Sequence, residues 1–289
     1  MKMKFIPLLL IAFILMAMKA DKDAYRFFDQ KGKKTTYAKL LRQAGDADVV
    51  LFGELHNNPI CHWLQYELTA DLFDEKEGMI VLGAEMFERD GQLILDEYLG
   101  NEISTRSFES QARLWPNYET DYKPLIEFAR EKAVPFVATN IPRRYASIVF
   151  REGFEGLDSL DRHAKMFIAP LPVPYDPELP GYQAMLEMGG GMGGHASDNF
   201  PKAQAIKDAT MAHFILEGME EGKTFIHYHG TYHSNDFEGI MWYLQQYRPE
   251  LKILTISSAE QDDIHTLEEE NEGIADFILA IPSSMTKTH

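Results

Sequence analysis

Cysteine is nearly missing from this chain: Cys61 is the single one in 289 residues. One thiol rules out an internal disulfide, and with it the disulfide-stapled extracellular modules. Positive charge is also scarce. The 28 Lys and Arg face 45 Asp and Glu, a net charge of -17. Such a surface repels phosphate backbones and removes nucleic acid from the partner classes. Apolar runs long enough to span a bilayer are absent; the longest, at 5–18, falls short of the roughly 20 residues a spanning helix needs. No extended low-complexity segment is present.

The composition that remains, 45% hydrophobic and 25% charged, is ample for a sizeable core. The apolar run at 5–18 follows Lys2 and Lys4 and precedes Ala20. It reads as a secretory signal peptide over 1–20, with an uncleaved anchor as the competing reading. No cysteine follows it, so there is no lipobox. Export without disulfides fits a bacterial periplasm.

Short, continuously apolar runs at 48–52, 79–84, 136–139, 224–229, 252–256 and 277–281 read as buried strands. Helical patterns lie between them at 59–72, 92–99, 104–114, 123–132, 143–151, 157–167, 201–219 and 237–246, with Ser104 as a candidate N-cap. Strands apolar on both faces and alternating with helices mean an α/β fold, a mostly parallel central sheet flanked by helices. The proline-rich stretch at 169–181 and the glycine run at 189–194 interrupt that rhythm. The segment 143–200 therefore reads as an inserted helical subdomain within a single domain over 21–289.

In open parallel sheets ligands bind at the carboxyl ends of the strands. Here those ends carry two matching turns, Gly53-Glu54-Leu55-His56 and Gly230-Thr231-Tyr232-His233. The glycine of each is expected to let the chain fold sharply and return the histidine over the strand end. Glu85 follows the second strand. Asn140 follows the third, with Arg143 just beyond, and His229 closes the fourth. His56, Glu85 and His233 suit a divalent metal. With Glu54 they form a candidate hydrolytic set in which the metal activates water. Asn140, Arg143 and His229 are candidate substrate contacts. Competing structural readings stand beside these. A histidine after a tight turn caps helices, Glu85 could pair with Arg143 or Arg144, and His227 suits the core. His195, near Met188 and Met192, reads either as a soft-metal or haem contact or as the tip of a lid. The aromatics Trp115, Tyr118, Tyr122, Tyr145, Tyr175 and Tyr182 suit a core or the wall of a flat ligand's pocket.

Taken together, Gly53-Glu54-Leu55-His56, His62, Gln65, Gly83-Ala84-Glu85-Met86-Phe87, Gln92, Ala138-Thr139-Asn140-Ile141-Pro142-Arg143, Ala203-Gln204, Lys207-Asp208-Ala209 and Met211-Ala212 resemble the ChaN-like haem-binding proteins of the Tiki superfamily. The likeness runs from about Asp48 to Ile281. It implies an α/β domain with a helical subdomain, export to the envelope, and a role in iron or haem uptake with envelope transport components as partners. It also implies haem held by tyrosine at a homodimer interface, with Tyr145 as the candidate ligand. Superfamily relatives include erythromycin esterases and Tiki-type metalloproteases, whose paired histidines and glutamates map onto Glu54, His56, Glu85 and His233.

Overall fold

A computed structural model describes residues 22–189 and 198–289. The expected signal peptide at 1–20, the glycines beyond Gly189 and His195 lie outside the described residues. The strands are β1 (Arg26–Asp29), β2 (Val49–Glu54), β3 (Ile80–Glu88), β4 (Phe136–Asn140), β5 (Thr224–Gly230), β6 (Ile253–Gln261) and β7 (Phe277–Pro282). They form one seven-stranded sheet in the order β1-β7-β6-β2-β5-β3-β4. Only β1 runs antiparallel. The α/β expectation of a mostly parallel sheet between helices holds.

The strands are parallel because helices cover both faces and bury both sets of alternating side chains. Along β2, Val50 and Phe52 enter one core, while Val49 and Leu51 enter the other. The first core is completed by helices α1 (Tyr37–Gly45), α2 (Pro59–Glu75), α3 (Gln92–Leu99), α4 (Thr105–Gln111) and α5 (Lys123–Lys132). The second takes α6 (Arg143–Glu152), α9 (Phe200–Gly218) and α10 (Ile240–Tyr247), with the short α7 (Arg162–Lys165) and α8 (Pro180–Gly189) lying between α6 and α9 in the chain. Helix starts are chemically marked. Asn58 caps α2, its side chain accepting from the Ile60 N–H at 3.0 Å with Pro59 in the first turn, and Ser104 caps α4. Helix α9 is buried nearly all round, which is why it has almost no amphipathic signature.

Two differences from the sequence reading stand out. β1 and α1 carry no expected element. β1 is only four residues long, and its two ends are polar. The expected helix at 157–167 is instead a 3₁₀ turn (Phe154–Ser159) followed by α7. Leu160 is extended between them, and Asp161 caps the new helix. Within 143–200, Ala146, Val149, Leu157, Ile168 and Val173 pack with Ile206 and Ala209 of α9 in the second core.

Candidate functional site

The sheet order puts β5 between β2 and β3, so the ends carrying Glu54, Glu85 and His229 are immediate neighbours. Register pairs Gly53 with His229 and Glu54 with Gly230. On β3 the pairing with β4 slips between Ala84 and Glu88, and Glu85 sits in that irregular stretch. A β-bulge of this kind re-aims a side chain at the sheet end.

Glu54 is fully buried and saturated with donors. His56 Nδ1–H donates to its Oε1 at 2.9 Å, the Tyr122 hydroxyl donates to the same oxygen at 2.8 Å, and Gln65 Nε2 donates to Oε2 at 2.6 Å. Burial raises the Glu54 carboxyl, but the bonds from His56 and Gln65 and the nearby imidazoles outweigh it, so it is held below its usual range. The His56 carbonyl is anchored separately by Asn117 Nδ2 at 2.8 Å and His62 Nε2 at 3.1 Å. His56 thus has a fixed ring. Its edge meets Trp115 at 4.9 Å between centroids, its side chain is 37% exposed, and Nε2 has no hydrogen-bond partner among the described residues. Burial lowers the His56 pKa, while Glu54 and Glu85 raise it; the net direction is upward.

The second turn makes a different unit. His233 is buried between two carboxylates, with Nδ1 2.5 Å from Asp208 Oδ1 and Nε2 3.2 Å from Glu85 Oε1. Burial opposes the imidazolium, but Glu85 and Asp208 outweigh it and push His233 up to about 10. Glu85 also accepts the Gly230 N–H at 2.9 Å. Despite burial, it is held far below the ordinary carboxylate range, chiefly by His233.

Behind this unit runs a buried chain of hydroxyls and imidazoles. The Thr139 hydroxyl donates to the Ala84 carbonyl at 3.0 Å and so accepts from His227 Nε2 at 2.7 Å. His227 Nδ1 then accepts from His229 Nδ1–H at 3.0 Å, which leaves His229 Nε2 to accept from the Ser234 hydroxyl at 2.8 Å. Burial, reinforced by neighbouring imidazoles, lowers the His229 pKa to about 3 and that of His227 well below 6.5, so both are neutral.

The expected residues therefore come together, with some reassignments. Glu54, His56, Glu85 and His233 share one crevice. Asn140 and Arg143 join Glu85, Trp115, Ile141 and Lys207 around an adjoining cavity of about 590 Å³. His229 is placed inside the wall, fully buried. The ion pair of Glu85 with Arg143 or Arg144 does not form, since Glu85 takes His233 and Arg144 takes Asp90 at 2.6 Å. Tyr145 sits in the first turn of α6 against the Arg144 guanidinium, 4.4 Å from its ring, and does not line the cavity. No group of three or more His, Cys, Asp or Glu among the described residues is arranged to hold a metal. Both nitrogens of His233 face carboxylates, Asp208 and Glu85. Asn117 has no motif of its own; Asp208 stands in the Lys207-Asp208-Ala209 segment of the family likeness and Tyr122 among the candidate aromatics, but no spacing ties either to His233 or Glu54.

Fold and crevice define an α/β protein with two carboxylate-held imidazoles at the end of a parallel sheet. The chain belongs to the family described as "Haem-binding uptake, Tiki superfamily, ChaN", whose model matches residues 40–244. No curated protein matches the chain. Among solved structures it is similar to ChaN of Campylobacter jejuni, described with cofacial haem binding (TM-score 0.67, 16% identity, 88% of this chain and 96% of that one). It is also similar to the erythromycin esterase EreC, a variant in its open conformation (TM-score 0.53, 10% identity, 92% and 99% covered). A third likeness is to a succinoglycan biosynthesis protein (TM-score 0.52, 11% identity, 92% and 96% covered). At these identities the structural likenesses are likenesses of fold.

Proposed function

We propose that the protein binds haem in the uptake or handling of haem and iron, as an exported protein directed to the periplasm by residues 1–20. Family membership over 40–244 carries this reading. The cavity beside Glu85 is chemically suited to the ligand. Trp115, Ile141 and Met86 offer an apolar wall for a flat macrocycle, and Arg143 and Lys207 offer positive charge at its rim. When bound, haem would supply a ferric centre that takes an anionic oxygen ligand. Tyr145, which lies next to Arg144 and outside the lining of this cavity, and His195 are the proposed haem contacts of the sequence reading. A homodimer and envelope transport components are the proposed partners. Among the described residues no helix is long and apolar enough to cross a membrane, which is compatible with a protein that works beside one. Titration of the purified chain with ferric haem is expected to give a saturable Soret shift, altered in Tyr145→Phe. Absence of any saturable shift would remove this reading.

The Glu54–His56 pair favours a second reading, hydrolysis of an ester or amide. A buried carboxylate fixes Nδ1–H and leaves Nε2 free and half-exposed beside a cavity, which is the arrangement of a general base for water. In the metal-dependent form of this reading a divalent ion would bind His56, Glu85 and His233. His233 would then have to give up a proton and a carboxylate contact. Metal content per chain, with hydrolysis of activated esters by wild type and His56→Ala, separates the forms. Equal rates in the two proteins would sink both.

A further inference from the structure

The cavity beside Glu85 has an electrostatic character opposite to that of the chain. The protein carries -17 overall. The cavity is lined by Arg113, Arg143 and Lys207 against Glu85 and Glu88. Arg113 is spent on Glu88 at 3.0 Å and on Asp90. Glu85 is ion-paired with the His233 imidazolium, which it shares with Asp208. Arg143 and Lys207 are left, and neither has a carboxylate within 4.0 Å among the described residues. Two unpaired cations on the wall of a concave, partly apolar site attract and concentrate anions.

A second observation lies at the same polar end. Asn140 Nδ2 donates to the Glu85 carbonyl at 2.9 Å, which fixes the orientation of its amide. Oδ1 is buried and accepts from nothing among the described residues. A buried acceptor left unmet is costly and marks a place that expects a donor from outside the chain. A water bridging an anion to Asn140 meets that need while the anion's own oxygens face the cations.

We propose that Arg143 and Lys207 form a carboxylate clamp, so that the site recognises its ligand through acid groups, with the apolar body against Trp115 and Ile141. This rests on the haem reading in one respect: the acid groups would be the two propionates of a porphyrin. Metal identity is secondary to such recognition.

The full chain would be titrated with ferric haem and haem dimethyl ester, followed at the Soret band, and with iron-free protoporphyrin IX, followed by its own fluorescence. Arg143→Gln, Lys207→Gln and the double variant would be compared with wild type, each checked for fold by circular dichroism. Each lost charge-assisted contact is expected to weaken haem binding about tenfold. The dimethyl ester should bind wild type more weakly than haem by at least that factor, and haem affinity should fall with added salt. Protoporphyrin IX should bind with the same dependence on Arg143 and Lys207. Equal affinity for haem and its ester, or undiminished haem binding by the folded double variant, overturns the clamp. Failure of haem with clamp-dependent binding of protoporphyrin keeps the clamp and removes the iron-binding reading. Failure of both porphyrins removes both.

Discussion

Asp208→Asn tests the buried Glu85–His233–Asp208 unit directly. His233 lies near 10 instead of 6.5 because two carboxylates face its two nitrogens. At 1.36 kcal/mol per pH unit, that difference corresponds to on the order of 5 kcal/mol, net of the burial penalty that opposes the imidazolium. The folded pKa is raised, so the contribution is complete below pH 6.5 and is lost as pH climbs toward 10. Wild type should lose roughly 1.4 kcal/mol of unfolding free energy per pH unit from this residue between pH 7 and 9. Replacing one of the two carboxylates while the burial penalty stays removes at least half of this net contribution, roughly 2 kcal/mol or more, offset in part because Asp208 no longer bears its own burial cost. The variant's His233 should then titrate within the same window, and its stability should level off near pH 9. Urea unfolding at several pH values gives both curves. An unchanged slope in Asp208→Asn, or a wild-type curve that is flat from pH 7 to 9, would refute the charged-triad assignment.

On the acid side, neutral His227 and His229 have depressed folded pKa values, so stability should fall as pH drops from 6.5 toward 4.5 by up to about 1.4 kcal/mol per unit for each histidine; a thermal-unfolding series checks this, and a flat profile counts against the neutral pair. Tyr122→Phe removes a donor from buried Glu54 and should cost about 1–3 kcal/mol by urea unfolding, a loss under 0.5 kcal/mol telling against that bond. Gly230→Ala should displace the His56 ring and lower haem affinity or ester turnover more than stability, measured by titration and rates on the folded variant; unaltered binding and turnover would show that the ring does not need that space.

The fold was legible because its determinants are local. Six apolar runs each buried on both faces specify a parallel sheet without any knowledge of partners. Glu54, Glu85 and His56 were legible for the same reason, since each sits at the end of such a run. The roles of Asp208 and Tyr122 were not, although both residues lay in segments that the sequence singled out. Each reaches the site from a helix distant in the chain, and nothing in α9 distinguishes Asp208 from a surface acid until its neighbours prove buried. The direction of charge also depends on packing. Spacing makes His56 and His233 equivalent, whereas one is part-exposed with a nitrogen that has no partner among the described residues and the other is an imidazolium locked between carboxylates.

The two glycines show where local reasoning misassigns a cause. Their conformation does not require glycine: neither has a positive φ, and Gly230 sits at φ -63 and ψ 145, open to any residue. Space requires it. A Cβ on Gly230 would stand 2.7 Å from His56 Nε2, and one on Gly53 would stand 3.1 Å from the Thr231 Cα. Each turn's glycine yields room to the residues that follow the other turn's glycine, because parallel pairing sets Gly53 and Glu54 against His229 and Gly230. The repeated pattern is therefore not two independent turns that happen to match. The two glycines leave room on either side of the same β2–β5 pairing, Gly230 for the His56 ring and Gly53 for the Thr231 backbone, at the strand ends that carry the crevice.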